Sequence, residues 1–543
     1  MPQRQAGGAP SYRRELRGIV GAALGRGSRG LGQNIPKLEQ RPASHGAAIT
    51  VLRAQSSECA MTIPLVINGK LVEKTETIPL VSPGSGKVVE GISKGTKEDV
   101  REAVEAAEAA FETWSATPLN KRTAVLQKAA VLLRERTEEF ALTLATEAGK
   151  PVKDSRVEVI RAAGVFTSSA QEAVRMLEGR VHPVDAYEYP MGNQDRMVFT
   201  TREPVGVVAA ILPFNFPVNS FAHKIAPALA VGNTLVVKPS VQTPMSASRL
   251  TALLSEAGLP PGCVNLVTGK SAEIGDTLVE HPGVELVTFT GSTAVGLRVA
   301  SMAAMHAKRS IMELGGSDPV IILNDSNVDS AAMTSVRGRF DYAGQNCNSS
   351  KRIFVQSGVA AKFTETFVNL TSKLNVDDPM LETTEMGPVI NQGSVDEMSR
   401  FVDDALAKGG KLLAGGRRIG RPGSYFEPTV VADFADDAAV ITEEVFGPIA
   451  PISTFETVDE ALQKANASEY GLQAAIHTGD YKMALKLARR VHAGSVIIND
   501  STRLRWDALP FGGRRKTGFG REGVRDTMLE MTEQKLVSLN LGA

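Results

Sequence analysis

Between residues 205 and 289, short apolar runs alternate strictly with segments of helical periodicity. Consecutive strands that are separated by helices are predicted to be parallel, because each crossover returns the chain to the same end of the sheet. The pattern therefore predicts a parallel sheet with helices on both faces, which binds nucleotides at the carboxyl ends of its strands. The predicted strands are 205–212, 234–237, 264–267 and 286–289, and the predicted helices are 220–230, 244–257 and 274–280.

Three other parts of the chain show regular patterns. Upstream, apolar residues recur at helical spacing, which predicts helices over 98–115, 121–148 and 154–178. Residues 184–202 alternate polar and apolar positions around Gly192-Asn193, a two-residue turn signal, so an antiparallel hairpin is predicted there. A second α/β stretch is predicted to begin near Asp318.

The composition excludes several classes of protein. At 543 residues the chain is too long for one core and is expected to form two or more domains. Its 60 basic residues balance 60 acidic ones without a basic stripe, so no nucleic-acid partner is expected. The longest apolar runs are far shorter than the roughly 18 residues of a membrane span. Three scattered cysteines and seven histidines without a cluster predict neither a disulfide framework nor a metal site.

The first 60 residues differ in charge from the rest of the chain. They carry nine basic residues against three glutamates and are rich in Arg, Gly and Ser. Such a leader is typical of an organellar transit peptide, mitochondrial by preference, and predicts location in an organelle matrix. The alternative is that translation starts at Met61 and that the leader is a disordered or misassigned extension, in which case a cytoplasmic location is expected.

One cysteine lies in the polar turn Gly344-Gln345-Asn346-Cys347-Asn348. A nucleophilic thiol has to be accessible and partly ionised, and glycine and side-chain amides supply access and hydrogen bonds. Glu313 lies between short apolar residues and a Gly-Gly pair, the surroundings of a desolvated carboxylate whose raised pKa suits a general base. The two residues indicate covalent catalysis followed by hydrolysis. The competing interpretation is that Cys347 is an inert small apolar residue.

Two glycine-containing segments are candidates for binding a phosphate. The segment 289–296 follows an apolar strand and opens a helix, so its free backbone N–H groups and the helix dipole are expected to face a pyrophosphate. The competing interpretation is an ordinary helix cap formed by Ser292. The literal Gly-x-Gly-x-x-Gly at 518–523 has no βαβ unit around it and is predicted to be a loop.

Seven short motifs occur in order along the chain, and together they resemble the aldehyde dehydrogenase superfamily from about Ile63 to Leu541. The resemblance implies an α/β fold with a Rossmann-type cofactor domain, an α/β catalytic domain and a small oligomerisation hairpin. It also implies oxidation of an aldehyde to the carboxylic acid through a cysteine thiohemiacetal and thioester. The motifs are Pro213-Phe214-Asn215-Phe216-Pro217, Lys238-Pro239-Ser240, Phe289-Thr290-Gly291-Ser292, Met312-Glu313-Leu314-Gly315-Gly316, Gly344-Gln345-Asn346-Cys347, Glu444-Val445-Phe446-Gly447-Pro448 and Pro510-Phe511-Gly512-Gly513.

The resemblance implies catalytic roles for a small set of residues. Cys347 corresponds to the nucleophile, and the Asn215 side chain together with the Cys347 backbone N–H corresponds to the oxyanion site. Glu313 corresponds to the base that activates water to cleave the thioester. Lys224 matches a lysine near the proton path, with a solvated helix charge as the alternative, and Glu522 matches a carboxylate behind the site.

The implied cofactor is NADP or NAD. Val241 stands three residues after Lys238, where many NAD-preferring members carry a glutamate that binds the ribose hydroxyls. Without that carboxylate a 2′-phosphate meets no repulsion, so NADP is favoured and dual use stays open. The implied cofactor contacts are Lys238, Ser240 and Val241 near the adenosine ribose, Gly291, Ser292, Val295 and Leu314, and Glu444 and Phe446 at the nicotinamide ribose and ring.

The loop 500–507 corresponds to a segment that lines the substrate tunnel. Arg505, and after it Arg503, are expected to pair with the anionic group of a small polar aldehyde such as lactaldehyde, glyceraldehyde 3-phosphate or a semialdehyde. The alternative is that both arginines lie on an exposed rim. Members of the succinate-semialdehyde type tend to carry an arginine where this chain has Asp341, which argues against that substrate. Acylating relatives lack the glutamate present here as Glu313, which favours a free acid as product.

The resemblance also implies the domain organisation and a homodimer or homotetramer. Two other function classes stay open. A catalytically silent member of the same fold has no physical need for Cys347, Glu313 and Asn215 together. A cofactor-free cysteine hydrolase is disfavoured because no histidine lies near Cys347 in sequence. The expected segments are the leader at 1–60, the cofactor domain at 61–183 and 203–315, the catalytic domain at 316–524, and oligomerisation segments at 184–202 and 525–543.

Overall fold

The computed structural model describes residues 62–542, so the predicted leader lies outside the described residues. The strands are β1 Thr62–Ile63, β2 Leu65–Ile67, β3 Lys70–Val72, β4 Thr77–Val81, β5 Val88–Ser93, β6 Arg180–His182, β7 Arg196–Pro204, β8 Val207–Ile211, β9 Thr234–Lys238, β10 Val264–Leu266, β11 Val284–Thr290, β12 Arg309–Glu313, β13 Asp318–Ile322, β14 Ser350–Gln356, β15 Lys411–Ala414, β16 Thr429–Ala432, β17 Ile449–Phe455, β18 Gln473–His477, β19 Ser495–Ile498, β20 Gly518–Phe519 and β21 Thr532–Asn540. The helices are α1 Lys97–Ala116, α2 Leu119–Glu135, α3 Thr137–Ala148, α4 Val152–Met176, α5 Pro217–Val231, α6 Pro244–Ala257, α7 Ser271–Glu280, α8 Thr293–Met305, α9 Val328–Phe340, α10 Ser357–Thr371, α11 Gln392–Ala407, α12 Ala439–Thr442, α13 Val458–Asn466, α14 Tyr481–Ala488 and α15 Val524–Glu530.

The predicted alternation of strands and helices forms an eight-stranded sheet in the order β20-β12-β11-β8-β9-β10-β2-β3. The five central strands, β12, β11, β8, β9 and β10, are parallel to one another. Helices α1, α7 and α8 pack on one face, and α2, α4, α5 and α6 pack on the other. The predicted fold class, a parallel sheet covered by helices on both faces, is therefore confirmed.

Two helices of this unit begin and end at residues that explain their bounds. Helices α5 and α6 each start at a proline, whose missing N–H costs nothing at the first helical position. Each ends at a glycine with positive φ, Gly232 at 107° and Gly258 at 101°, a conformation that favours glycine. The chain therefore reverses sharply after each helix and enters the next strand.

A second, seven-stranded sheet has the order β15-β16-β17-β14-β13-β18-β19 and is parallel except for its edge strand β15. It begins at Asp318, as predicted for the second α/β stretch. Only four residues separate its strand β13 from β12 of the first sheet. The ends of these two strands, and the turn before β14, are therefore close together.

The predicted hairpin differs in detail from the structure. Strand β6 at Arg180–His182 pairs with β7, so the first strand ends before residue 184, and residues 183–195 form a long connection instead of a two-residue turn. Pro183 and Pro190 lie in that connection, and proline has no N–H for a ladder hydrogen bond. Strand β21, within the expected oligomerisation segment 525–543, pairs with β7 and completes an antiparallel sheet in the order β21-β7-β6.

Two other predictions need correction. The helix predicted over 121–148 is two helices, because the backbone at Arg136, with ψ of 23°, separates α2 from α3. The segment 518–523 is not wholly a loop, because Gly518–Phe519 forms strand β20 and pairs with Met312 and Glu313. A side chain at Gly518 would lie 2.1 Å from the carbonyl oxygen of Met312, so the glycine permits this close approach.

Candidate active site

Asn215, Glu313 and Cys347 line one narrow cavity of about 40 Å³. Glu313 is the last residue of β12, and Cys347 lies in the turn before β14. Asn215 lies two residues before helix α5. Three segments that are far apart in sequence therefore converge where the two sheets meet, at the carboxyl end of the first sheet. The catalytic roles assigned to these residues stay predictions, and the geometry fits them.

The turn that carries Cys347 is held in a strained backbone conformation. Tyr342, Ala343 and Gly344 have φ values of 51°, 53° and 71°. Such left-handed residues are costly unless the surroundings enforce them, and they are frequent at functional sites. Tyr342 Oη donates to the carbonyl of Ala148 at 2.9 Å, and Gln345 Oε1 accepts the N–H of Ile390 at 2.8 Å. These contacts fix the turn on both sides of the strained residues.

The surroundings of the Cys347 thiol oppose the partial ionisation that the sequence led us to expect. Burial, and next the neighbouring Glu313, raise the pKa of the thiol well above its ordinary value. The positive charge of Lys351 acts in the opposite direction. These effects favour the neutral thiol, which has to lose its proton to a base before it can act as a nucleophile.

Glu313 has the properties of such a base. Burial raises the pKa of this carboxyl to about 7, and the charge of Glu522 adds to the rise. Its Oε1 atom is buried without a hydrogen-bond partner among the described residues. A carboxyl that titrates near neutral pH is suited to taking and returning a proton under physiological conditions.

Asn215 and Cys347 each have an N–H group that is available to a ligand. Asn215 Nδ2 donates one hydrogen to the carbonyl of Gln345 at 3.0 Å, which orients the amide and leaves its second hydrogen available. The backbone N–H of Cys347 has no acceptor within residues 62–542. A pair of such donors fixed before reaction is the arrangement that stabilises developing negative charge.

Lys224 and Glu522 form a buried ion pair behind Glu313. Lys224 Nζ donates to Glu522 Oε1 at 2.8 Å and to Thr288 Oγ1 at 3.1 Å. Burial acts to raise the pKa of Glu522, but the charges of Lys224 and Arg505 hold it well below its ordinary value. Lys224 is therefore not a solvated helix charge, which was the alternative interpretation.

Arg505 lines the cavity and is not on an exposed rim. Its Nη2 donates to Glu522 Oε2 at 3.2 Å, and its guanidinium lies 3.8 Å from the centre of the Phe511 ring. Its Nε is buried and has no partner among the described residues. An unpaired buried N–H is costly, so this group is suited to an anionic substrate group.

Arg503 is engaged by a partner that the sequence did not reveal. Its Nε and Nη2 donate to Asp341 Oδ2 at 3.1 and 2.7 Å, and its Nη1 donates to Asn348 Oδ1 at 3.1 Å. Burial acts to raise the pKa of Asp341, but Arg503 keeps it below the ordinary value. Each of the two arginines is paired with a carboxylate, but only Arg505 has a buried N–H group, Nε, without a partner among the described residues, so Arg505 is the better candidate for binding an anion.

The structure contains a further network of charged residues that the sequence did not predict. Arg161 on α4 donates to Asp507 Oδ2 at 2.9 Å and to Oδ1 at 2.7 Å, a bidentate pair. The Oδ1 atom also lies 3.0 Å from Nε2 of His223, which is buried beside Arg505. Burial and the charge of Arg505 lower the pKa of His223. The network holds the loop 500–507 against α4 and α5 at the wall of the cavity.

The turn between β11 and α8 fits a pyrophosphate. Helix α8 begins at Thr293, as predicted. The Ser292 side chain makes no capping hydrogen bond, so the interpretation of Ser292 as a helix cap is not supported. Gly291, Ser292 and Val295 lie at this turn, and the last two are exposed. Free N–H groups at a helix N-terminus attract an anion.

The other predicted cofactor residues lie at neighbouring strand ends. Lys238 closes β9, its Nζ donates only to the carbonyl of Pro239 at 2.9 Å, and burial lowers its pKa to about 8. Two of its three N–H donors are therefore available to a ribose or phosphate. Ser240 and Val241 follow it, and Val241 packs against the small apolar cluster of Ile63, Leu80, Ile92 and Met245. The donor set fits a dinucleotide.

Glu444 and Phe446 lie beside the nucleophile turn. Glu444 Oε1 accepts the N–H of Gly316 at 3.0 Å and a hydrogen bond from Lys351 at 2.6 Å. Phe446 meets Phe214 edge to face, with ring centres 5.8 Å apart. The side chain of Leu314 is buried in the core below Gly296, so only its backbone is placed to contact a cofactor.

The described residues contain no group of three or more His, Cys, Asp or Glu side chains that could hold a metal ion. Among the helices within residues 62–542, none is long and apolar enough to cross a membrane.

Comparison with known proteins gives consistent matches over most of the chain. The model of the aldehyde dehydrogenase family matches residues 71–537. The 3-sulfolactaldehyde dehydrogenase of Priestia aryabhattai is 40% identical over 477 residues, which are 88% of this chain and 98% of that protein. A solved structure of an NAD-dependent aldehyde dehydrogenase from Sinorhizobium meliloti is 37% identical, covers 89% of this chain and 96% of its own, and has a TM-score of 0.85. An NADP-dependent glyceraldehyde-3-phosphate dehydrogenase from Bacillus halodurans C-125, solved with NADP, is 37% identical, covers 89% of this chain and all of its own, and also has a TM-score of 0.85.

Proposed function

The chain belongs to the aldehyde dehydrogenase family, and from that premise we propose that it oxidises a small anionic aldehyde to the carboxylic acid with NADP or NAD. One observation carries the choice of substrate class: Arg505 lines the cavity together with Cys347, and its buried Nε has no partner among the described residues. A phosphate, sulfonate or carboxylate on the substrate satisfies that donor. The relatives named for 3-sulfolactaldehyde and glyceraldehyde 3-phosphate act on aldehydes of this kind.

The side chains of the cavity divide the chemistry between them. The Cys347 thiol gives its proton to the neighbouring Glu313 carboxylate, which passes it on to solvent, and the sulfur adds to the aldehyde carbon. The carbonyl π electrons move to oxygen, which is held by Asn215 Nδ2 and the Cys347 N–H. A bound oxidised nicotinamide supplies the hydride acceptor that no side chain provides. Glu313 then takes a proton from the water that cleaves the acyl–sulfur bond, and the thiol and the acid are released.

We also propose the domain organisation expected from the sequence. Residues 61–183 and 203–315 supply the eight-stranded sheet apart from β20, and residues 316–524 supply the seven-stranded sheet. Segments 184–202 and 525–543 contribute β7 and β21 to the three-stranded sheet, which supports a role in assembly. Location in an organelle matrix rests on the leader alone.

The experiment that tests the substrate class compares aldehydes matched in size but differing in charge. Glyceraldehyde 3-phosphate is compared with glyceraldehyde, and 3-sulfolactaldehyde with lactaldehyde, each with NAD and NADP, by absorbance of the reduced cofactor. Cys347→Ala provides the blank. We expect Arg505→Met to lower kcat/KM for the anionic member of each pair by about tenfold or more beyond its effect on the neutral member, as for loss of a hydrogen bond to a charged group.

Arg503→Met is the matched control, because Asp341 already occupies its guanidinium. It removes an equal charge from the same loop. Equal loss on anionic and neutral substrates in Arg505→Met would contradict the proposed substrate class, as would a wild-type preference for the neutral aldehydes.

A further inference from the structure

Lys351 on β14 is a buried lysine that has no role in the reaction proposed above. Its side chain is 1% exposed. Its Nζ donates to the carbonyl of Gly316 at 2.7 Å, to the carbonyl of Cys347 at 2.8 Å and to Glu444 Oε1 at 2.6 Å. An ammonium group has three N–H donors and no acceptor. Every donor of this lysine is therefore used, and each goes to a different segment of the site.

One of these acceptors belongs to the nucleophile, and another belongs to the residue expected to bind the cofactor. The Cys347 carbonyl is the backbone of the nucleophile, and Glu444 matches the residue that contacts the nicotinamide ribose. The N–H of Gly316 also donates to Glu444 Oε1, at 3.0 Å. That oxygen is therefore fixed by two donors, while Oε2 has none within residues 62–542. A carboxylate held by one oxygen presents the other to a ligand in a defined direction.

The glycine at position 316 is part of the same arrangement. A side chain there would place its Cβ 2.6 Å from the Cys347 carbonyl oxygen. The chain can therefore bring the carbonyls of Gly316 and Cys347 to one ammonium group only because residue 316 has no side chain.

We propose that Lys351 is a positioning residue that ties the backbone of the nucleophile Cys347 to the cofactor carboxylate Glu444. It fixes the turn that carries Cys347 and keeps Glu444 Oε2 directed to the cofactor. One side chain therefore positions both the nucleophile and the carboxylate that binds the cofactor. This inference rests on the proposed function, because it assumes that the cavity brings an aldehyde and a nicotinamide together.

The charge of Lys351 adds an electrostatic contribution to this geometric one. The ammonium group is bonded to the carbonyl of the residue whose thiol reacts, and its charge acts to lower the pKa of that thiol against the effects of burial and Glu313. Loss of the charge is therefore expected to reduce the thiolate population at a given pH. A purely structural lysine at a distance from the thiol would not have this effect.

The next residue in β14 supplies a matched control. Arg352 is 2% exposed, and its guanidinium donates to three backbone carbonyls, those of Ser317, Lys464 and Ala465, at 2.9 to 3.0 Å. Like Lys351 it is a buried cation that satisfies three acceptors. Unlike Lys351 it bonds neither the Cys347 turn nor Glu444, so Arg352→Met reports the cost of losing such a residue without disturbing the site.

The first measurement is the rate of alkylation of Cys347 by iodoacetamide as a function of pH, in the protein without cofactor. Background from the other cysteines is subtracted with Cys347→Ala. We expect the Lys351→Met profile to move to higher pH, so that alkylation below the midpoint slows by about threefold or more, which corresponds to half a pKa unit. Arg352→Met is expected to keep the wild-type profile.

Lys351→Gln keeps the test decisive if Lys351→Met does not fold. Its amide retains two N–H donors for the backbone carbonyls and carries no charge. The alkylation profile is expected to move in the same direction, because the missing charge is common to both variants.

The second measurement is the affinity for NADP and NAD, followed by titration of protein fluorescence without substrate. Lys351→Met is expected to weaken binding by about tenfold, as for loss of one hydrogen bond to a charged group. If Lys351 acts through Glu444, the double variant Lys351→Met, Glu444→Gln binds little more weakly than Glu444→Gln alone.

The outcomes separate this inference from the function on which it rests. Unchanged alkylation profiles and cofactor affinity in both Lys351 variants would overturn the positioning role. Shifts of equal size in Arg352→Met would also overturn it, because they would show a general effect of losing a buried cation. A wild-type protein that binds cofactor, shows the predicted Lys351 effects and oxidises no aldehyde would instead refute the proposed function.

Discussion

At the scale of single residues, the site raises the pKa of both reacting groups, Glu313 and Cys347. Burial is the largest cause for both, and each of the two side chains also faces a negative or ionisable neighbour. The Glu313 carboxyl with its pKa of about 7 is the group whose protonation changes first as the pH rises. It is a base above pH 7 and an acid below it, so the hydrolytic step is expected to quicken with rising pH through that value.

Glu313→Gln tests this assignment. The glutamine cannot accept a proton from water, whereas the thiol can still lose its proton to the solvent and react. We expect the single-turnover burst of reduced cofactor to keep its amplitude, while steady-state turnover falls by about two orders of magnitude and loses its rise near pH 7. Stopped-flow and steady-state absorbance over a range of pH measure both. Loss of the burst amplitude together with turnover would contradict a role in deacylation.

Val241→Glu tests the cofactor choice. A glutamate accepts hydrogen bonds from the ribose hydroxyls of NAD and repels the extra phosphate of NADP. The ratio of kcat/KM values is expected to move toward NAD by about tenfold or more. Because Val241 packs against a small apolar cluster, Val241→Gln is the control for packing, having the same length without the charge. A wild type that already prefers NAD strongly, with a ratio that neither variant changes, would show that other residues build the ribose pocket.

The sequence was informative about residues within short motifs and uninformative about their partners. Cys347, Glu313 and Asn215 were proposed from their surroundings in sequence and from resemblance, and the fold brings them to one cavity. Lys351 carried no local signal, because its acceptors Gly316 and Glu444 lie 35 and 93 residues away. Pairings across such distances depend on tertiary structure, which periodicity and motif spacing do not encode.

At the scale of elements, helices and strands were predicted most accurately where the sequence pattern is compatible with only one kind of secondary structure. The strands and helices of 205–289 were predicted because buried parallel strands are largely apolar and two of the three helices, α5 and α6, are bounded by Pro and Gly. The break at Arg136 was missed because the residues around it have ordinary helix propensity. Strand β20 was missed because it has only two residues, and its pairing with β12 depends on tertiary contacts.

Helix α5, which carries Lys224 and His223, is oriented by a buried ion pair between Glu158 on α4 and Lys150, which lies just before α4. Glu158 Oε1 accepts the first N–H groups of α5, those of Val218 and Asn219, at 3.0 and 3.1 Å. Its other oxygen pairs with Lys150, which in turn donates to the carbonyl of Asn215 at 2.9 Å. The pair therefore connects the helix start to the backbone of the predicted oxyanion residue.

Glu158→Gln is expected to be strongly destabilising. The amide keeps an acceptor for α5 but leaves the Lys150 charge buried without a counter-ion, which costs about 3–5 kcal/mol. Urea unfolding followed by circular dichroism measures the loss. The double variant Lys150→Met, Glu158→Gln is expected to recover part of it, because no unpaired charge remains. Glu138→Gln, on an exposed pair with Arg156, is the control and is expected to leave the midpoint unchanged. A double variant less stable than Glu158→Gln would contradict this account.

At the scale of the whole molecule, the antiparallel sheet of β6, β7 and β21 exposes apolar side chains on its edge strands. Its order β21-β7-β6 leaves β21 and β6 as edges. Val181 and Leu536 on these edge strands are 64% and 63% exposed. Exposed apolar side chains on strands with unpaired backbone groups are characteristic of surfaces that another chain covers.

The final prediction is therefore that the protein is a homodimer or homotetramer whose interface includes this sheet. Light scattering at micromolar concentration is expected to give a mass of two or four chains. The double variant Val181→Lys, Leu536→Lys places charge on both edge strands and is expected to shift the mass toward one chain, because a buried unpaired charge opposes association. Leu412→Lys is the control, since Leu412 is an exposed leucine on β15, the edge strand of the seven-stranded sheet, and its substitution is expected to leave the mass unchanged. A wild-type monomer would refute the prediction, and a variant that keeps the wild-type mass would place the interface on another surface.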